Sequence, residues 1–143
     1  MDDQINVNTI NIAYLNIHGQ SGLNISKQKQ IEDFIIKHDI DILNCQEINI
    51  VDDSFAQCAV ISSKYNILQN NALNKYGTAV LLKNEYDVEN VKVDTVGRAI
   101  VYDIQDITFG NIYLPSGTDG DSRGQREQFI SEDLPNTLLT EKI

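Results

Sequence analysis

The sequence is short of positive charge. Its 11 Lys and Arg stand against 21 Asp and Glu, for a formal net charge of -10 and a pI near 4.4. A chain this acidic repels phosphate backbones, which argues against passive nucleic-acid binding through a basic patch. It leaves a nuclease open, because a metal ion in an acidic cleft inverts the local field. Cysteine is scarce too, with only Cys45 and Cys58. Disulfide frameworks belong to Cys-dense secreted chains, so a Cys45–Cys58 bridge is disfavoured, and Cys45, inside an apolar run, reads as a small buried thiol. No apolar run approaches the roughly 20 residues needed to span a bilayer. No basic stretch followed by an apolar one opens the chain. Internal repeats and low-complexity tracts are absent. The expectation is a reduced, intracellular protein with no membrane partner.

What is present is ordinary globular sequence: 143 residues, 41% hydrophobic and 22% charged, enough for one domain with a real core. "TINIAYLNI" (Thr9 to Ile17) is apolar on both faces of a period-2 pattern, which predicts a buried strand. Ser26 is placed as a helix N-cap. In the following "KQKQIEDFIIKHD", Ile31, Phe34, Ile35 and His38 fall at helical spacing. "DIDILNCQE" (Asp39 to Glu47) is a second strand, so strand, helix and strand within forty residues give an α/β expectation. "QCAVISS" and "YNILQNN" read as two short strands of a meander, and "GTAVLLK" as another. "GRAIVYDI" and "ITFGNIYLP", joined by Gln105 and Asp106, predict an antiparallel hairpin. "PSGTDGDSR" reads as a loop. Near-helical spacing follows, with Pro135 expected to end one helix near Asp133 and begin another.

Three strands end in polar groups, and sites in open α/β sheets gather at strand ends. The first ends at Asn16, the second at Gln46 and Glu47, the hairpin strand at Tyr113. A carboxylate there can hold Mg²⁺, which keeps several waters and takes one or two protein carboxylates. An amide can fix a phosphate oxygen or a metal-bound water, and a phenol can donate to a phosphate oxygen. Taken singly, each has a blander reading. Asn16 starts a turn, Glu47 is a solvated terminus, and Tyr113 is a core-edge aromatic. His38 sits where a helix end favours a partly positive ring. The acidic stretches at Asp52 and Asp53 and at Asp119 and Asp121 lack Ca²⁺-loop spacing.

The order of the segments adds weight. "LNIHG", a helix, "DIDILNCQE", then "GTAVLLK", "GR" and "NIYLPSG" resemble the endonuclease/exonuclease/phosphatase superfamily. Its members include abasic-site endonucleases, neutral sphingomyelinases, inositol phosphatases and the endonucleases of non-LTR retrotransposons. The resemblance spans Asn11 to Leu139, and the short first motif with "NIYLP" looks most like the retrotransposon branch. It implies the amino-terminal half of a four-layer α/β sandwich, a mixed β-sheet with flanking helices, with residues 1–143 a single partial domain. On the resemblance, Asn16 matches an active-site Asn, Glu47 the Mg²⁺-binding Glu, and Tyr113 a Tyr that contacts the scissile phosphate. Asn16 and Glu47 would then hold Mg²⁺, with Mn²⁺ the alternative ion. Ser116 stands where abasic endonucleases often carry a phosphate-contacting Asn. Arg123 and Arg126 lie where a loop and helix approach DNA, so Ser116 and Arg123 are the candidate substrate contacts. His18 stands near a second metal-linked Asp of some relatives, and Arg98 is read as structural. Gly19 and Gly22 would let the loop after Asn16 fold away.

The family's later motifs, a "G-D-x-N" strand end and a terminal "S-D-H", do not occur in these residues. The resemblance therefore implies a fragment, inactive alone. Its partners would be DNA and either the missing half of the domain or a downstream reverse transcriptase in a longer polyprotein, in an intracellular compartment, with the nucleus one option. Alternatives are a phosphatase or sphingomyelinase-type member, or a non-catalytic relic serving as an interaction module. A sheet left without its second layer would also expose an apolar inner face and promote self-association.

Overall fold

The structure, a computed structural model, describes residues 9–18, 23–71, 77–114 and 120–139. The described elements run β1 (Ile12–Asn16), α1 (Ile25–His38), β2 (Ile42–Ile48), α2 (Ala59–Lys64), β3 (Tyr65–Asn70), β4 (Gly77–Lys83), β5 (Val88–Val93), β6 (Ala99–Ile104) and β7 (Ile107–Ile112). Then come α3 (Gly120–Gln128), a π-helical turn (Phe129–Asp133) and α4 (Leu134–Leu139).

Two sheets form. One is mixed, ordered β1-β2-β4-β3, with β1 parallel to β2 and both other pairings antiparallel. The second is antiparallel, β5-β6-β7. Strand β2 shows why they stack. Leu43 and Cys45 join Ile31 and Ile35 of α1 and Ile61 of α2 in one core. Ile42 points the other way, into a second core with Val80 and Leu82 of β4 and Ile100, Tyr102 and Ile104 of β6. A strand apolar on both faces must be covered on both. Helix α4 touches β5 and β6. The layers are thus helix, sheet, sheet, helix, and the chain is an α/β fold with mixed and antiparallel sheets flanked by helices.

That arrangement corrects the expectation of a bare inner face, because the hairpin strands β6 and β7, with β5, supply the second sheet from within the chain. Other corrections are local. Asn24, and not Ser26, caps α1: its side chain accepts the Lys27 N–H at 2.8 Å. "QCAVISS" is no strand, since Ala59–Lys64 is helical. Its first N–H groups, those of Val60 and Ile61, donate to Glu32 Oε2 on α1 at 2.8 and 3.2 Å. A tertiary cap thus overrides β-branched propensity. Strand β5 went unread because it is a bulged strand at a sheet edge with much of its length exposed. The "PSGTDGDSR" loop is helical from Gly120 onward. At Pro135, which has no N–H to give, the helix widens instead of ending, and the Leu134 N–H reaches back to the Phe129 carbonyl. The β6–β7 hairpin pairs Ile104 with Ile107 as expected, and Gln105 takes a positive φ of 56°. Both cysteines are free and buried.

Candidate active site

Parallel pairing brings Asn16 beside Gln46, and the Ile17 N–H donates to the Gln46 carbonyl at 2.8 Å. The next residue, Glu47, is where β2 breaks its register with β4. Gln46 still pairs with Thr78, yet Ile48 pairs with Gly77, leaving Glu47 as the extra, unpaired residue of a bulge. The bulge flips the parity of the strand, so Ile48 joins the core under α1 and Glu47 is released from the alternation. Glu47 adopts φ 54°, a left-handed conformation that costs a non-glycine residue about 1–3 kcal/mol and clusters at functional sites. Gly77 opposite must lack a side chain, since a Cβ there would sit 1.9 Å from the Asn70 carbonyl oxygen.

The carboxylate so presented is 13% exposed. Asn16 Nδ2 donates to its Oε2 at 3.2 Å, and the Tyr113 hydroxyl donates to the same oxygen. His18 Nδ1 lies 3.6 Å from Oε1. Three strand ends from two sheets therefore meet at one carboxylate. Among the described residues no Lys or Arg pairs with it, and no group of three or more His, Cys, Asp or Glu side chains converges to hold a metal. A shielded carboxylate with neutral donors and no cation beside it has donor chemistry that fits one hydrated divalent ion.

Supporting groups fix each member. The Asn16 amide is oriented by the His18 N–H, which donates to Oδ1 at 2.9 Å. Lys27 Nζ donates to the Ile17 and His18 carbonyls at 2.8 and 3.2 Å, tying that turn to α1. Tyr113 is held by Arg98: its N–H donates to the Arg98 carbonyl at 2.8 Å, and Arg98 Nη1 donates to the Tyr113 carbonyl at 3.3 Å. The guanidinium lies 5.2 Å from the centre of the Tyr113 ring. Arg98 in turn sits on a tight turn organised by Asp94, which is 4% exposed. Asp94 Oδ1 accepts the N–H groups of Arg98 and Ala99, both at 2.9 Å, and Asn70 Nδ2 at 2.8 Å. Below the site, fully buried Asn111 donates from Nδ2 to the Cys45 and Ala79 carbonyls at 3.0 and 2.9 Å, joining the two sheets. Gln46 Nε2 reaches Asn111 Oδ1 and the Ile112 carbonyl, each at 3.4 Å.

Asn16, Glu47 and Tyr113, predicted from sequence, thus come together. Arg123 does not join them: it is exposed on α3 and makes no hydrogen bond or ion pair with any of the three. Ser116, Gly19 and Gly22 lie outside the described residues. The positioning parts Asp94, Asn70 and Asn111 were missed, while Gln46 was singled out only as a polar strand end. The one signal for them was a polar residue within an apolar strand, as with Asn111 in "ITFGNIYLP" or Asn44 in "DILNCQE".

No family model matches the sequence, and no curated protein matches it. Solved structures do. An AP endonuclease from Archaeoglobus fulgidus superposes with a TM-score of 0.70 at 20% identity, over 94% of this chain and 53% of that one. Truncated TDP2 from Caenorhabditis elegans gives 0.63 at 25% identity, over 93% and 57%. The 3′ phosphatase NExo from Neisseria, bound to product DNA hairpin, gives 0.71 at 20% identity, over 93% and 52%. The chain has the fold of endonuclease/exonuclease/phosphatase proteins. It spans about half the length of those structures.

Proposed function

We propose that this chain carries the carboxylate half of a metal-dependent phosphoester hydrolase site, with endonuclease-type cleavage of DNA as its chemistry. The observation that carries the proposal is Glu47: a bulged residue in a strained left-handed conformation, whose Oε2 receives both Asn16 and Tyr113. A left-handed non-glycine residue also occurs at the β5 bulge, at Asn90, so it is the convergence of Asn16 and Tyr113 on Glu47 that marks this one. Support also comes from the described likenesses, one an AP endonuclease and another a 3′ phosphatase bound to a DNA hairpin.

Glu47 would hold Mg²⁺, which when bound polarises a phosphoryl oxygen and stabilises the leaving group. Asn16, expected as a second ligand, turns Nδ2 to that carboxylate and Oδ1 to the His18 N–H, and so orients the carboxylate. The chain's own groups do the rest of what is present here. Tyr113 carries an O–H that can pass from Glu47 to a non-bridging phosphate oxygen, and Arg98 keeps the ring in place. The "G-D-x-N" and "S-D-H" strings, to which the resemblance assigns the water-positioning Asp and the late His, do not occur in these residues. The expectation is therefore that these 143 residues alone are silent, since a catalytic unit loses nearly everything with any one member. We place the chain in the retrotransposon branch on the form of "LNIHG" and "NIYLP", with a partner segment completing the site in the nucleus.

The test is a substrate panel with Mg²⁺: supercoiled plasmid, DNA ending in a 3′ phosphate, phosphoinositide and sphingomyelin, each offered to these 143 residues and to the full reading frame containing them. Nicking of plasmid by the longer protein alone is the expected result. Hydrolysis confined to the lipids would move the chain to the phosphatase or sphingomyelinase branch. Silence of both proteins on all four would favour a relic serving as an interaction module.

A further inference from the structure

The His18 backbone orients Asn16, but its imidazole, which faces Glu47, has no role so far. Glu47 divides its two oxygens unequally: Oε2 takes both Asn16 and Tyr113, while Oε1 faces only His18 Nδ1, at 3.6 Å. That separation is too long for a hydrogen bond. One ion still fits between the two atoms, because two bonds of about 2.1 Å span from roughly 3 Å for neighbouring ligands to about 4.2 Å for opposite ones. The ring is aimed although 74% of its side chain is exposed. Its backbone is locked in a left-handed turn with φ 54°, its N–H is held by Asn16 Oδ1, and its carbonyl is held by Lys27 Nζ.

We propose that His18 is a second ligand of the ion bound at Glu47, and that its imidazole makes this site prefer Mn²⁺ to Mg²⁺. The inference rests on the reading of Glu47 as the metal carboxylate. Mg²⁺ wants oxygen ligands in near-ideal octahedral geometry and gives up water reluctantly. Imidazole nitrogen suits transition ions better than Mg²⁺, and among them Mn²⁺ shares the Mg²⁺ preference for carboxylate and water. A Glu and His donor pair, oriented by Asn16, therefore favours Mn²⁺ over Mg²⁺.

The experiment is Mn²⁺ binding to the purified chain, read from loss of the free-ion EPR signal, with Mg²⁺ as competitor. It is run on wild type, His18→Ala, His18→Gln and Glu47→Gln, each checked for native circular dichroism. In parallel, NMR follows the two imidazoles during substoichiometric Mn²⁺ addition, with His38 at the end of α1 as internal control. Expected are selective broadening of the His18 resonances and weaker Mn²⁺ binding in both His18 variants. The loss should be at least about tenfold, the low end of what even an outer-shell partner contributes, with Mg²⁺ affinity little changed. Unchanged Mn²⁺ affinity in the His18 variants, beside lost binding in Glu47→Gln, would overturn the proposal and leave the Glu47 reading standing. A rise in affinity in His18→Ala would overturn it too, by showing the ring to be a competitor for the carboxylate. Binding that survives in all variants, or is absent in wild type, would take the Glu47 reading down with it.

Discussion

Replacing Asp94 with alanine should destabilise the protein severely, although this residue touches no substrate. Its carboxylate is 4% exposed and accepts the N–H groups of Arg98 and Ala99 at 2.9 Å each, Asn70 Nδ2 at 2.8 Å and the Val96 N–H at 3.3 Å. Asn70 Nδ2 keeps other acceptors, the Asp94 and Ala99 carbonyls. The Arg98 and Ala99 N–H groups lose theirs. A buried donor left unsatisfied costs about 1–3 kcal/mol, so two place the loss at about 2–6 kcal/mol. That is a large part of the 5–15 kcal/mol typical of a domain. Asp94→Asn retains an acceptor at Oδ1 and should cost clearly less. Urea unfolding measures both, with a lowered midpoint at an unchanged slope. The same loss would free the turn that carries Arg98, and through it the Tyr113 ring. A midpoint for Asp94→Ala within about 0.5 kcal/mol of wild type, the range of an ordinary surface change, would refute the reasoning.

Glu32→Ala removes the acceptor for the Val60 and Ile61 N–H groups; loss of about 1–2 kcal/mol in urea unfolding is expected, as for other caps, with helicity lost from α2. Burial pushes the Cys45 thiol up to about 12, so native protein should resist thiol reagents from pH 7 to 9 and react only as it unfolds. A folded-state value above the unfolded one means Cys45 adds stability below about pH 8.5 that is lost as pH climbs beyond it; rapid native labelling of Cys45 would contradict this. Tyr113→Phe in the catalytically complete protein should lower cleavage about 10- to 100-fold, the worth of one charge-assisted hydrogen bond of about 1.5–3 kcal/mol. A larger fall would mean that the phenol does more than donate one bond.

Much of the fold could be read because its cause is local. The apolar run of β2 marks a strand, and the spacing of Ile31 and Ile35 places α1 against it, whereas β1, expected to be buried from its two apolar faces, is an edge strand with Ile12 and Tyr14 exposed. The β6–β7 hairpin was legible from its two-residue connection. What escaped has causes far away in sequence. Helix α2 is capped by Glu32, 29 positions from Ile61, and no window around Ala59 contains that carboxylate. The second sheet was misjudged because hairpin strands reveal their pairing but not which face they will cover. At the site, the polar strand ends Asn16, Glu47 and Tyr113 stood out against apolar runs. The bulge that turns Glu47 outward depends on Gly77 opposite, and the Arg98 clamp on a turn folded around Asp94. Both are tertiary facts without a periodic signature.

The central claim is that Glu47 is the charge on which phosphoester chemistry at this site depends. The direct measurement is the rate of Mg²⁺- and Mn²⁺-supported plasmid nicking by a nicking-competent protein that contains these 143 residues, wild type beside Glu47→Gln, with folding of both verified. Glutamine keeps the size and an acceptor for Asn16 and Tyr113 while removing the charge that holds the ion, so the account predicts that nicking disappears with either metal and stability is preserved. A folded Glu47→Gln protein that nicks at the wild-type rate would contradict it.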